Sequence, residues 1–369
     1  MYGQRKYWFG LGLSGLLLAL FFFTLDVDRL FEALTDANYL YIVPAVCLYL
    51  VSLLFRTLRW QMLLRHMRHV SVARLYPVVV VGYMANNLLP MRLGELVRSY
   101  YVGEREGVSK TAALVTIFIE RLFDALTLLL LIAAIALFVP LMTLAEGFGE
   151  QSSVPWPILI AVLTLPFMGT FVLLLFLSRS PVRAQVISNA LVRPLPDRLE
   201  TRARLFIDMG LHGLAALRDA RTIALLFALS APIWLFEAGL FYLIAFSFHL
   251  DSVYDNLWEL AIAVVLVTAI ANIGASIPAA PGGLGLFELV ARETLVLLPL
   301  AAVDRTLAGA YVTVVHATLL LPMIVLGQVI LWAQHVSLGA LSREGRGEMD
   351  PAEDAAVPST TPVGGDDGP

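Results

Sequence analysis

Long apolar runs at residues 7–25, about 39–58, 111–140, 155–177, 222–248, 257 to about 273 and about 305–334 alternate with short polar breaks. A hydrocarbon core of about 30 Å takes roughly 20 helical residues, so each run reads as a membrane helix. Two stretches depart from this pattern. The first begins with residues 75–81, too short to cross comfortably. It continues through Asn86, Asn87, Pro90, Arg92, Gly94, Glu95 and Arg98 before residues 99–102 lead into the polar 103–107. It predicts a re-entrant hairpin, because backbone groups freed at membrane depth are tolerated only where they line a polar cavity. The second stretch, 272–288, contains Pro278, Pro281, Gly282, Gly283, Gly285 and Glu288 and precedes the apolar 289–300. Its order of Asn, Pro, Gly and Glu parallels the first, and two broken hairpins from opposite faces would form an inverted repeat. Because 257–278 is long enough to cross, two complete helices joined by a tight turn are the alternative there. The expected class is an all-α polytopic membrane protein with about eight membrane segments.

Composition agrees with this reading. Of 369 residues, 59% are hydrophobic and 15% charged, and the mean hydropathy is +0.80, values of a membrane protein rather than a soluble one. The run at 7–25 follows Arg5 and Lys6 without a small-residue cleavage site, so it is expected to stay as the first membrane helix. The net charge of -4 is small, but its distribution predicts topology. Asp26, Asp28, Glu32 and Asp36, the Glu146/Glu150 loop, and Asp251, Asp255 and Asp304 fall on one side. Arg65, Arg68, Arg74, Arg105, Lys110, Arg343, Arg346 and the series from Arg179 to Arg221 fall on the other. Cytoplasmic loops collect Lys and Arg, so both termini are expected in the cytoplasm, with the protein in the cell's inner membrane. Residues 1–341 would form the membrane domain, in halves 1–178 and 222–341 joined by a basic cytoplasmic linker, 179–221. Leu205, Phe206, Ile207, Met209, Leu214 and Leu217 suggest an amphipathic segment in that linker, lying on the membrane and binding anionic headgroups; a plain basic loop is the alternative. Residues 342–369 read as a disordered acidic tail. Cys47, the single cysteine, permits no intramolecular disulfide and is expected to be a buried thiol.

An ionisable residue at membrane depth costs about 2.5–3.5 kcal/mol, so each needs a partner or a wet cavity. Arg92, Glu95 and Arg98 share one side of a short helix, where Glu95 is expected to pair with either arginine. Glu120, Arg121 and Asp124 lie within the run 111–140. Arg92, Arg98 and Arg121, with Asn87, are the candidate phosphate-binding residues. Gly282, Gly283 and Gly285 are candidates to present backbone N–H groups to an anion. Glu95, Glu120, Asp124, Glu288 and His316 are candidates to balance charge or carry protons, and Glu288 is expected to meet Arg92, Arg98 or Arg121. Pro90, Gly94, Pro278 and Pro281 would shape the hairpins. Two plainer readings stand beside these: mutual salt bridges that only fix packing, and glycines that only permit close helix approach. Arg56 and Arg59 read as interfacial side chains. No metal-ligand cluster, nucleophile elbow, Walker A or dinucleotide fingerprint is present, so neither an enzyme, a cofactor nor a nucleic-acid partner is expected.

Four motifs carry a resemblance: Arg56-x-x-Arg59-Trp60; Asn87-x-x-Pro90-x-Arg92-x-Gly94-Glu95-x-x-Arg98; Glu120-Arg121-x-x-Asp124; and Pro281-Gly282-Gly283-x-Gly285-x-x-Glu288. Together they resemble the membrane region of lysylphosphatidylglycerol synthases and related stand-alone membrane proteins, a family that also includes membrane portions of some archaeal dolichol-linked glycosylation proteins. In the synthases this region resembles a flippase that moves a charged phospholipid between leaflets, while a separate soluble domain performs aminoacyl transfer. Only a short tail follows residue 334, so the resemblance implies translocation of a phospholipid or polyprenyl-phosphate-linked lipid rather than synthesis. The alternatives are a membrane-embedded lipid-modifying transferase and a lipid-binding partner of an envelope glycosyltransferase or lipid-synthesis enzyme.

Overall fold

The computed structural model describes residues 12, 15–16, 18–21, 23, 25–89, 92–139, 155–180, 193, 200, 204, 213–276, 281–339 and 341. Pro90, Pro278, the Glu146/Glu150 loop, the segment 205–209, most of the basic linker and the tail lie outside the described residues. Beyond a helical N-terminal stretch, the described elements are α1 (Val27–Asp36), α2 (Ile42–Leu64), α3 (Val72–Leu88), α4 (Leu93–Glu106), α5 (Lys110–Ile135), α6 (Trp156–Arg179), α7 (Ala220–Ser247), α8 (Leu257–Gly274), α9 (Leu286–Leu297) and α10 (Arg305–Ala333). No strand occurs among the described residues.

The helix boundaries follow from local chemistry. Side chains of Asp26, Ser109, Asp219, Asn256 and Asp304 accept from free backbone N–H groups at the starts of α1, α5, α7, α8 and α10, satisfying donors that a helix start leaves without partners. At Asp219, the Thr222 hydroxyl and the N–H groups of Arg221 and Thr222 also hold the carboxyl below its ordinary range. Gly107, at φ +60°, ends α4. Tyr39–Leu64, Ile160–Arg179, α7, α8 and α10 are each long and apolar enough to cross a membrane. The 26-residue α5 is as long, but Glu120, Arg121 and Asp124 interrupt it. Leu321, Val325, Val329 and Trp332 on α10 and Val43, Val51 and Leu54 on α2 are exposed, as a lipid-facing surface requires. The fold is that of an all-α polytopic membrane protein.

The same order of elements occurs twice: α2, the pair α3/α4, then α5; and α7, the pair α8/α9, then α10. α2 and α7 join the halves and run antiparallel. Tyr41 stacks on Phe246 and Phe55 on Phe236, while Arg59 bonds Ser230, so contacts descend one helix as they climb the other. α10 shows how the hairpins are placed. Near its C-terminal end Gln334 accepts from Tyr101 and Arg105 at the open end of α3/α4. At its N-terminal end Arg305 pairs with Glu293 at the open end of α8/α9, 2.9 Å away. The hairpins therefore enter from opposite ends of the molecule. Their tips meet in the middle, where Arg92 Nη2 donates to the Ala275 carbonyl at 2.9 Å. With 14 and 12 residues, α4 and α9 extend only about 21 and 18 Å at 1.5 Å per residue.

Three expectations need correction. α2 runs on to Leu64, six residues beyond the expected end, because Arg56 and Arg59 find partners inside and need not reach an interface. α4 continues through Glu104 and Arg105 to Glu106, since Lys110 pairs with Glu104 at 2.7 Å and Arg74 with Glu106 at 3.4 Å. Cys47 is exposed, because it lies on the outer side of α2.

The legs of the first hairpin touch through glycine. A Cβ on Gly94 would lie 2.2 Å from the Gly82 carbonyl and 2.5 Å from Asn86 N, a contact with backbone that cannot be relieved by a rotamer change. Gly94→Ala should therefore cost more than the usual overpacking penalty of about 1–3 kcal/mol. Thermal unfolding in detergent should show a clear fall for Gly94→Ala and no change for Gly169→Ala, where a Cβ meets nothing within 4 Å.

Candidate functional site

A lattice of buried charge connects α2, α4, α5 and α7. Asp124 lies 2.8 Å from Arg59, 3.4 Å from Arg56 and 3.4 Å from Arg121. Glu120 lies 2.8 Å from Arg98 and 3.7 Å from Arg59, and Glu237 lies 2.7 Å from Arg56. Aromatic faces complete the shells of these guanidinium groups: Arg98 sits 3.7 Å over the Trp60 ring and Arg56 sits 4.7 Å over Trp234. Trp60 is itself held by Thr116, 3.0 Å from its indole nitrogen. The Tyr83 hydroxyl accepts from both Arg56 (3.0 Å) and Arg121 (2.8 Å). Guanidinium suits such sites because its planar fork serves several acceptors while stacking on a ring.

At the edge of this lattice the pairing loosens. Glu95 lies 3.8 Å from Arg92 and 3.9 Å from Arg121, and these three side chains are 24–32% exposed although they lie at the level where the hairpin tips meet. Arg56, Arg59, Arg92, Arg98 and Arg121 together face Glu95, Glu120, Asp124 and Glu237, an excess of one positive charge. The two loosely paired arginines, Arg92 and Arg121, border a cavity of about 150 Å³. Arg56, Arg92, Arg121, Glu237, Asn86, Asn87, Asn272, Gly282, Gly283 and His316 are among its lining residues. Asn86 Oδ1 and Arg56 Nε are buried without a hydrogen-bond partner among the described residues; an unmet group of this kind costs about 1–3 kcal/mol unless water or a ligand reaches it. Arg92 adopts a left-handed backbone, φ 55° and ψ 34°, at the start of α4. That conformation is rare for a residue with a side chain, and it tends to occur where strain serves a site.

The second tip is arranged differently. Glu288 Oε2 accepts from Gly285 N–H at 2.7 Å, closing the start of α9, and Glu288 Oε1 meets His316 Nδ1 at 2.7 Å. His316 Nε2 faces the Gly282 carbonyl at 3.0 Å. Among the described residues no three or more His, Cys, Asp or Glu side chains are placed to hold a metal ion.

The structure thus brings together most of the residues expected from sequence and redistributes their partners. Arg92, Arg121, Asn87, Gly282, Gly283 and His316 line one cavity. Arg98 does not: it is 3% exposed and occupied by Glu120 and Trp60. Glu95 pairs with Arg92 and Arg121 rather than Arg98, because Arg98 points to α5. Glu288 meets His316 rather than an arginine, and Gly285 N–H is consumed by Glu288, so the start of α9 is closed to an anion by its own side chain. Gly94 supports the hairpin by close packing, and Pro281 opens the short turn before Gly282. Arg56 and Arg59, expected at an interface, are 3% and 0% exposed and form the middle of the lattice. Glu237, Tyr83 and Trp234 were not anticipated, and Asn86 and Asn272 were read only as parts of the two broken stretches. Glu237 carried a readable signal, being the one carboxylate inside the apolar run 222–248, whereas Tyr83 and Trp234 look like ordinary apolar packing until their partners are known.

Two broken hairpins meeting at a charged cavity inside an all-α membrane body define a polytopic membrane protein with an internal polar site. The chain belongs to the family described as the lysylphosphatidylglycerol synthase TM region, which it matches over residues 7–327. It is 25% identical over 332 residues to a UPF0104 membrane protein of Methanothermobacter thermautotrophicus, covering 85% of this chain and 92% of that one. A second UPF0104 membrane protein of that organism is 28% identical over 69% of this chain and 74% of its own length. The glycosyltransferase AglD of Haloferax volcanii is 30% identical over 120 residues, 32% of this chain and 19% of that protein. No solved structure matches the chain.

Breaking a buried pair from one side leaves the other charge without compensation, at about 3–5 kcal/mol. Glu237→Ala, which takes from Arg56 its shortest ion pair and leaves it Asp124 at 3.4 Å, should lower unfolding stability in detergent toward the lower end of that range. Glu95→Ala, between two partly exposed arginines at 3.8 and 3.9 Å, should shift it by less than about 1 kcal/mol.

Proposed function

We propose that this protein is a lipid translocator and not an enzyme. It binds the anionic headgroup of a phospholipid or polyprenyl-phosphate-linked lipid at the cavity between the hairpin tips and passes it between leaflets. The observation that carries this reading is the presence at the cavity of two loosely paired arginines, Arg92 and Arg121, which are still partly exposed. The cavity admits a phosphate with a few waters and leaves the tails in the bilayer. Hairpins that enter from opposite ends supply the two-sided arrangement from which alternating access is built. Arg98, Glu120, Asp124, Glu237 and Arg59 hold the frame, and Glu95 balances the two binding arginines.

The similarity to part of a glycosyltransferase favours a second reading, in which the cavity holds a lipid-linked substrate for an envelope glycosyltransferase without moving it. Both readings place the protein in the inner membrane with the arginine-rich end, including Arg74 and Arg218, in the cytoplasm.

Leaflet exchange of fluorescent phosphatidylglycerol and of a short polyprenyl phosphate in proteoliposomes tests the function. Wild type should exchange at least one lipid. Removal of one charged hydrogen-bond donor should slow exchange roughly 10- to 100-fold, corresponding to about 1.5–3 kcal/mol. Arg92→Gly is the informative variant, because glycine accepts the left-handed backbone: stability should hold or rise while exchange falls. Lipid that co-purifies without exchanging, and is lost on Arg92→Gly, would support the partner reading. Topology is tested separately in a Cys47→Ala background. An impermeant maleimide added to intact cells should label Asp255→Cys and not Arg74→Cys; the reverse pattern would invert the assignment.

A further inference from the structure

His316 faces an acceptor on each side. Nε2 lies 3.0 Å from the Gly282 carbonyl oxygen and Nδ1 lies 2.7 Å from Glu288 Oε1. A backbone carbonyl can only accept, so Nε2 must carry a hydrogen. An ionised carboxylate also only accepts, so either Nδ1 carries a second hydrogen or Glu288 is itself protonated and donates to Nδ1. Both arrangements contain one proton more than a neutral imidazole beside a free carboxylate. The geometry leaves little room to escape this count. Glu288 Oε2 is committed to Gly285 N–H at 2.7 Å, and the imidazole is stacked on Phe287 at 4.2 Å and 27°. Both side chains are buried, at 5% and 6% exposure.

Without that proton one contact must fail, because a single ring N–H cannot serve two acceptors. Either the ring releases the Gly282 carbonyl or it opposes Glu288, which closes the start of α9. Gly282, at φ +61°, is also where the two tips approach: a Cβ there would lie 3.1 Å from Leu320 and 3.5 Å from the Asn87 carbonyl. Proton occupancy is therefore linked to the placement of the second tip. The groups sharing the cavity from the surrounding helices are Tyr49 and Arg56 of α2, Tyr83 of α3, Arg92 at the start of α4, Arg121 of α5 and Glu237 of α7. With its proton the pair is neutral overall; without it the pair carries one negative charge. The surplus positive charge of the lattice favours the deprotonated pair, and an anion that neutralises that surplus favours the protonated one. Linkage makes this reciprocal: each ligand raises the affinity of the other.

We infer that His316 and Glu288 form a binding site for one proton, taken up together with the anionic headgroup, so that the proton is the ion coupled to translocation. The coupling rests on the proposed translocation, whereas the proton site stands on the pair's own geometry.

Hydrogen–deuterium exchange of the peptide containing Gly282–Gly285, in nanodiscs of phosphatidylcholine with or without phosphatidylglycerol, tests the site without requiring transport. After correction for intrinsic chemistry, exchange in wild type should rise about tenfold as pH is raised between about 5 and 9, the effect of losing one buried charged hydrogen bond. Phosphatidylglycerol should move that rise to higher pH. Glu288→Gln supplies an amide that donates to Nδ1 and still accepts from Gly285 N–H, so it should stay protected throughout. His316→Gln, which lacks a titrating ring, should show no pH response. A flat wild-type profile, or a Glu288→Gln profile that follows wild type, overturns the proton site. A responsive tip combined with lipid exchange that ignores an imposed pH gradient overturns the coupling and leaves translocation intact. A responsive tip in a protein that exchanges no lipid upholds the proton site and removes translocation.

Discussion

The expense of placing charge inside an apolar body governs this structure. An ionised group there must find opposite charge, hydrogen bonds or water, and a pair that lacks any of these is destabilising. Arg56, Arg59, Arg98, Glu120, Asp124 and Glu237 meet that requirement jointly. Asp124 serves three arginines and Glu120 two, so exchanging one member for an apolar residue alters the charge balance around several others. The lattice also dictates helix placement: α2 must cross beside both α5 and α7 for Arg56 to reach Asp124 and Glu237. Apolar packing against lipid would not select that arrangement, because lipid tails are as apolar as the helices.

Where the lattice is buried it is closed to ligands, and where it borders the cavity it becomes chemically available. Arg98 and Arg92 show the difference within one helix. Arg98 has a carboxylate at 2.8 Å and an indole face beneath it, and at 3% exposure it is out of reach of a ligand. Arg92 has a distant carboxylate and one backbone carbonyl, and its left-handed backbone places it at the tip rather than within the helix.

Much of the fold was legible in the chain. Apolar blocks gave nearly all the helices, and the breaks at Asn86–Asn87 and at Gly282–Gly285 marked both hairpins, because helix breakers in a membrane segment have few other uses. Partner choice was not legible. Spacing allowed Glu95 to pair with either Arg92 or Arg98; it meets Arg92, while Arg98 turns toward Glu120 on α5, and only the crossing of α4 and α5 decides this. Arg56 and Arg59 were read as interfacial because basic residues follow them at Arg65, Arg68 and Arg74. The helix in fact continues past both, and their partners lie far off in sequence, at Asp124, Ser230 and Glu237. Long-range ion pairs leave no periodic trace, so the site's membership was partly readable while its wiring was not.

The two hairpins share a design and differ in the chemistry of one attachment. Each short leg is held near its middle by an arginine and at its open end by α10: Arg98 with Glu120 and Arg105 with Gln334 in the first, Arg292 with the Phe21 carbonyl and Glu293 with Arg305 in the second. The central attachment differs in kind, an ion pair between two helices in the first and a bond to a backbone carbonyl in the second. A pseudo-symmetric fold thus holds matching arms with unlike chemistry, the difference arising from where a handful of charges were placed.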